Sequence, residues 1–188
     1  MPNPTPSSSR EALVRLLQSA YSGELAAGHA YRGHAASVSD PEEEKQIRKI
    51  EDEEWVHRRQ VGEMLAALGS GPDPARERKL LRIGKTIALL CRIGGWYVPM
   101  YGAGKLESRN VKEYQDAADF AVASGHPEFV ECLLEMAEVE WDHEAYFRSK
   151  VESHWLRFVL RVWPAIPPRD AIRTTFARRN AIGTSSAA

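Results

Sequence analysis

Two Glu-x-x-His pairs, Glu54/His57 and Glu140/His143, each follow an isolated glutamate, Glu24 and Glu107, at nearly equal separations. Four carboxylates and two imidazoles in this order match the ligand set of a dinuclear metal centre inside a helical bundle. Residues at i and i+3 share a helix face, so each pair can give one ion a nitrogen while its carboxylate reaches toward a second ion. Four glutamates bring about four negative charges, which two divalent cations would neutralise. The oxygen-rich donor set suits iron or manganese, whereas a structural zinc site favours thiolates.

Periodicity indicates that these residues point inward. The first series runs Leu13, Leu17, Ala20, Glu24, Ala27, Tyr31, and the second Ile47, Ile50, Glu54, His57, Val61, Met64, Leu68. The third, weaker, is Ala103, Glu107, Asn110, Tyr114, Ala117, Ala121, and the fourth Phe129, Leu133, Met136, Glu140, His143, Phe147. Steps of three and four place each series on one helical face, the face expected to be buried. An ionised carboxylate there needs a partner. Any one Glu-x-x-His on a charged helix is unremarkable; two pairs at core positions, each with its own core glutamate, call for a cation. Glu51, Glu53, Glu138 and Glu144 are read as solvated face, and His29, His34, His126 and His154 as surface or loop residues.

The elements that must hold these positions are all helices, since no run alternates with period two. Helix is expected from about Ser9 to Val38, and again from Asp40-Pro41, with its glutamate-rich first turn, to Leu68. The cluster GSGPDP then breaks the chain. A stretch from Arg76 to Ala123 should bend or divide at Gly94-Gly95 and Pro99, and GHP at 125–127 opens a last long helix to about Ser153. This predicts an all-α four-helix bundle of two helix-pair halves over residues 10–153. A disordered tail is expected over 1–9, and an amphipathic extension with a short helix and a basic tail over 154–188. That tail, carrying Arg169, Arg173, Arg178 and Arg179, reads as disordered. Each half has a tyrosine seven residues after its isolated glutamate, Tyr31 and Tyr114. They are either packing aromatics or partners of the metal-bound histidines across the bundle.

Composition narrows the class. The 188 residues suffice for one domain, and a net charge of −1 does not propose nucleic acid as a partner. Cys91 and Cys132 form no Cys-x-x-Cys and read as free thiols of a reducing cytoplasm. MPNPTPSSSR has no apolar stretch behind it, so no signal peptide is expected. Residues 79–106 are apolar, but Lys85, Arg92, the glycines and Pro99 oppose a spanning helix. HWLRFVLRVWPAIPP sets Trp155, Phe158, Val159, Val162 and Trp163 among Arg157 and Arg161, a composition suited to the lipid headgroup zone or to capping the bundle. The expected location is the cytoplasm, peripheral on the inner face of the membrane.

The segment GELAAGHAYRGH, Gly23 to His34, resembles the first-helix motif of the demethoxyubiquinone hydroxylase family. Glu107 to Gln115, glutamate then tyrosine seven residues on, is similar to that family's third-helix pattern; with the Glu-x-x-His pairs the resemblance spans Ala12 to Phe147. It implies a ferritin-like bundle holding two iron ions on Glu24, Glu54, His57, Glu107, Glu140 and His143. It also implies O2-dependent hydroxylation of a quinone ring and association with membranes. Three features depart from the family: Glu113 in place of a histidine before the tyrosine, the Gly-Gly-Trp-Tyr-Val-Pro stretch, and the C-terminal extension. The expected activity is thus a di-iron monooxygenase acting on a quinone or another lipid-soluble molecule. Its electrons come from an external donor, as no flavin or nicotinamide motif is present. The other reading is a ferritin- or rubrerythrin-like protein that handles iron or peroxide without an organic substrate. A homodimer is compatible with either.

Overall fold

The computed structural model describes residues 6–159 and 161–185, with side chains for 7–159 and 161–181. Its α-helices are α1 (Pro6–Ala35), α2 (Pro41–Ala67), α3 (Pro74–Cys91), α4 (Tyr97–Ala123), α5 (Val130–Ser153) and α6 (Ala171–Ser185), with 3-10 turns at Pro127–Phe129 and Trp155–Phe158. No strand occurs among the described residues, as the absence of period-two alternation predicts.

Local chemistry accounts for most boundaries. Asp40 and Asp73 cap α2 and α3 in the same way, each accepting two backbone N–H bonds on one carboxylate oxygen ahead of a proline in the first turn. Gly69 (φ 62°) and Gly125 (φ 81°) close α2 and α4 in the left-handed conformation, which costs a glycine nothing. The long third stretch does divide where expected, at Gly94-Gly95, with Gly95 at φ 68°.

Helices α1 and α2 pair, α4 and α5 pair, and α1 lies against α4; α3 packs outside this bundle, on α1. Gly33 and Gly84 permit the close α1–α3 approach, since a Cβ on Gly33 would collide with Ala88 and one on Gly84 with the Ala26 carbonyl. Apolar side chains fill the bundle on both sides of one polar layer. Leu13, Leu17, Val61, Leu65, Ala117 and Leu133 lie on one side. Ile47, Ile50, Met100, Phe147 and Val151 lie on the other.

The described parts of both terminal segments are more ordered than the sequence suggests. Residues 6–9 of the expected 1–9 tail are already helical, with Ser9 buried; residues 1–5 lie outside the described part. The segment beyond Ser153 holds only a single turn at Trp155–Phe158, and the helix proper comes later, at Ala171–Ser185, where a disordered basic tail was expected. Its arginines find acids on the bundle. Arg169 meets Asp142 at 3.1 Å, Arg173 meets Glu138 at 2.6 Å and Arg179 meets Asp119 at 2.9 Å, while Ile172 is buried in the core. Trp163 is also buried, donating from Nε1 to Glu144 at 2.7 Å, with the Arg148 guanidinium over its ring. The extension therefore straps α4 and α5 from outside.

Gly84→Ala should destabilise the fold by about 1–3 kcal/mol, because the added methyl must force α3 off α1. On an unobstructed helix the same change would stabilise by about 1 kcal/mol. Urea unfolding followed by circular dichroism reads the sign.

Candidate metal centre

All six sequence-predicted ligands converge in the polar layer, and all are buried, with Glu54, Glu107 and Glu140 fully so. They form two overlapping groups. Glu24, Glu54, His57 and Glu140 make one, and Glu54, Glu107, Glu140 and His143 the other; in each, one donor atom per residue lies within 4.8 Å of the rest. Glu54 and Glu140 belong to both. The arrangement is thus two adjacent four-donor positions sharing two carboxylates, each position completed by one glutamate and one histidine.

The side chains satisfy one another only in part. His57 Nδ1 lies 3.0 Å from Glu140 Oε1. His143 Nδ1 lies 3.3 Å from Glu54 Oε1 and 3.7 Å from Glu140 Oε2. Yet Nδ1 and both Glu54 oxygens have no well-formed hydrogen bond. Buried polar atoms without partners are expensive, and three of them facing a shared centre fit a cation bound there. The donor set can therefore hold metal.

Without a cation, protons must balance the charge. Burial, reinforced by neighbouring carboxylates, pushes Glu54 and Glu107 well above the usual carboxylate range, and burial raises Glu24 as well. Burial opposes ionisation of Glu140 too, but hydrogen bonds from Glu107, His143 and His57 hold it well below that range. Burial disfavours the charged imidazoles, but contacts with Glu140 outweigh it, so His57 is raised and His143 is raised strongly.

Tyr31 and Tyr114 are buried, but their partners are not the histidines. Tyr31 on α1 donates its O–H to Glu107 on α4, and Tyr114 on α4 donates to Glu24 on α1. Burial and the adjacent carboxylates raise both phenols far above their usual value, so they remain donors. Tyr114 does touch His57 edge-on, with ring centres 5.8 Å apart. Each half of the chain thus orients the isolated glutamate of the other half, a cross-pairing that the shared spacing of seven is consistent with but does not dictate.

Other neighbours were hidden in the sequence. Glu53, read as solvated face, accepts from His143 Nε2 at 2.9 Å, leaving Nδ1 turned to the centre. Its carboxyl is lowered to about 2, mainly by that hydrogen bond. Asn110 donates to Glu107 at 2.8 Å and more weakly to Glu140 at 3.4 Å. In the other half the equivalent positions are Val139 and Ala27, which can do neither. The two donor groups therefore differ in support: Asn110 and Glu53 both serve the Glu107/His143 group. Glu51 and Glu144, also read as solvated, are buried, with their charges met by Arg32 at 2.7 Å and Arg148 at 2.6 Å. Such charge pairing leaves no periodic signal to find.

His34 is a further correction, since it is 2% exposed rather than a surface residue. It stacks on Tyr31 and Phe147, and burial pushes it down to about 4, so the ring is neutral near pH 7; its Nε2 has no partner. His34 and Tyr31 line an almost wholly apolar cavity of about 400 Å³ between α1, α3 and α4, walled also by Ile87, Leu90, Ala103 and Leu106. A second cavity of about 250 Å³, with a more polar lining than the first, reaches Glu24, Asn110 and Tyr114 past Arg76 and Glu113.

Metal and protons compete for the same atoms, which fixes the pH dependence. Groups raised by folding (Glu24, Glu54, Glu107, His57, His143) stabilise the metal-free protein below their unfolded values and lose that contribution as pH rises. Glu140, Glu53, His29 and His34, lowered, act in the opposite sense, but their contribution is complete once pH exceeds their unfolded values, so the raised groups decide the sign above neutral pH. The metal-free melting temperature should fall as pH rises above 7, the increment from added Co(II) or Fe(II) should grow, and binding should release protons to a pH indicator. Binding without proton release would contradict the ligand assignment. Tyr31→Phe should weaken the ion held by Glu107, and Glu53→Gln the ion held by His143, each by about 10–100-fold in a competitive chelator titration.

A scan of protein-family models and searches of curated proteins and of solved structures return no match to this chain.

Proposed function

We propose that the protein is a dinuclear iron hydroxylase that activates O2 and inserts one oxygen atom into a quinone-like or other lipid-soluble ring. The observation that carries this reading is the apolar cavity, which shares Tyr31 with the centre and so ends one hydrogen bond from Glu107. A protein that only stored iron or destroyed peroxide would have no use for an apolar chamber at that place. The resemblance of the ligand helices to demethoxyubiquinone hydroxylases supports the same substrate class.

Iron held on the six ligands would supply the electrons and binding positions for O2 reduction. The chain's own residues do the rest. Leu106, Ala103 and Ala27 wall the cavity beside Tyr31 and keep bulk water from the reacting face. His34, neutral and with Nε2 free, is suited to a hydrogen bond with a carbonyl or hydroxyl on an otherwise apolar ring. Tyr31 and Tyr114 keep Glu107 and Glu24 in place through their donated hydrogen bonds. Glu113, on the polar side, is raised by burial and then by Glu24 and Glu140, which favours a carboxyl holding its proton beside the centre. The second cavity, which borders Glu24, would admit protons and small polar species beside the centre. The reaction balances as one oxygen atom to the ring and the other to water, with two electrons and two protons from an external reductant.

Reduced, iron-loaded protein given O2, a reductant and a short-chain methoxyquinol should yield product heavier by one oxygen atom, labelled when 18O2 is used. Ala103→Phe, which fills the cavity, should remove product formation by at least tenfold while leaving bound iron unchanged. Iron oxidation with no oxygen transferred to any of a panel of apolar phenols and quinols would refute the proposal.

A further inference from the structure

Helix α3 is held unevenly along its length. It packs outside the bundle on α1, with the two backbones in close contact where Gly33 meets Ala88. Near its N-terminus a charge pair fixes it. Glu77, in the first turn, accepts from Arg58 of α2 at 3.1 Å, and the same guanidinium donates to the Tyr21 carbonyl of α1. One arginine thus joins three helices.

Towards the other end of α3 the counter-charge is missing. A cavity of about 410 Å³ lies beside the Gly33–Ala88 contact, and its charged walls are all basic: His29 and Arg32 from α1, Arg48 from α2, Lys85 and Arg92 from α3. Among the described residues no carboxylate lines it. Two acids stand near these cations, and both are engaged within the α1–α2 pair, Glu51 with Arg32 at 2.7 Å and Glu44 with Arg48 at 2.7 Å. Lys85 and Arg92 are exposed and form no ion pair among the described residues. His29 registers the imbalance: burial lowers it first, then Arg32 and Lys85, with Glu51 acting against them.

Ordinary helix chemistry explains part of this charge. Arg32 lies in the last turn of α1 and Arg92 caps α3, positions where the helix dipole favours a cation, and Arg48 has its partner one turn back on α2. Lys85 has neither reason. It sits in the body of α3, and steps of three and four from Lys85 through Ala88 to Arg92 keep both cations on the α3 face that meets α1. Like charges held together by a backbone contact repel, and a counter-ion relieves them without moving the helices.

We infer that this cavity binds a small phosphate-type oxyanion, which joins the C-terminal half of α3 to α1 and α2 as Glu77 joins the N-terminal half. Arginine forks on separate walls suit the paired oxygens of a phosphate, and the lysine supplies a point charge. Lys85 and Arg92, the two uncompensated cations, match the charge of one phosphate dianion. The volume leaves room for part of the molecule that carries the phosphate. Occupancy also bears on the apolar cavity, because different faces of α3 wall the two: Ile87, Leu90 and Cys91 the apolar one, Lys85, Leu89 and Arg92 the basic one. A bound anion therefore favours the position of α3 that closes that wall. Neither the binding nor its effect on α3 rests on the hydroxylase reading.

Calorimetric titration of the full-length protein with inorganic phosphate, at an ionic strength fixed by chloride, tests the site. Saturable binding at one site per chain is expected, with bound metal the same before and after. Amide hydrogen exchange from Gly84 to Cys91 should slow at least threefold when phosphate is bound. Lys85→Gln with Arg92→Gln should weaken binding at least tenfold with helicity unchanged. Arg78→Gln with Arg82→Gln, which removes two exposed cations of α3 outside the cavity, should bind as the wild type does. Equal losses in the two double variants would mean general charge attraction and overturn the site, as would a response to phosphate no larger than that to chloride. Binding to vesicles carrying phosphatidic acid, with none to inorganic phosphate, would assign these cations to a lipid surface and likewise overturn it. Phosphate binding with unchanged exchange in α3 would overturn the link to that helix.

Discussion

Four carboxylates packed into a helical interior, beyond the reach of water, set the terms for the rest of this molecule. The polar layer lies between two apolar clusters, so its charge cannot be dispersed into solvent and must be cancelled on the spot. Two imidazoles, two phenols, one carboxamide and a set of shared protons do part of this. A cation would do the remainder. The two Glu54 oxygens and His143 Nδ1, left without hydrogen bonds, mark where that remainder falls.

The bundle can tolerate such a centre because other acids near the core are neutralised locally. Glu43, Glu51 and Glu144 are each buried and each meets a Lys or Arg together with a tryptophan N–H. The C-terminal strap contributes to this, since Trp163 supplies one of those N–H groups and also fills the space that Gly104 leaves beside Phe147. The C-terminal extension is thereby part of the core.

Residue order made the clustered donors legible because a buried donor cluster needs several side chains, each on the inner face of its helix, and inner faces repeat. Glu24, Glu54, His57, Glu107, Glu140 and His143 could be placed for that reason. Glu53 and Asn110 could not be assigned a role in the same way: a single outer carboxylate or amide reaches the site only through the crossing of two helices, which no linear period encodes. His34 escaped because its burial comes from α3 closing over α1, an approach permitted by Gly33 and Gly84 and invisible in the α1 pattern. Helix α6 was missed because its stability lies in ion pairs to Asp119, Glu138 and Asp142, far away in the chain.

The crossed tyrosine–glutamate bonds have a further meaning. Each helix pair carries one donor and one acceptor, and neither can close its bond alone. Two copies of a single helix pair, related by a twofold axis, would close both bonds by symmetry with one sequence. Joining the pairs in one chain removes the obligation to keep the halves alike. Asn110 and Glu53 against Ala27 and Val139 are differences that a symmetric dimer could not hold, and they make the two donor groups chemically distinct. The two donor groups can then differ in their affinity for a cation, which one sequence repeated by symmetry does not allow.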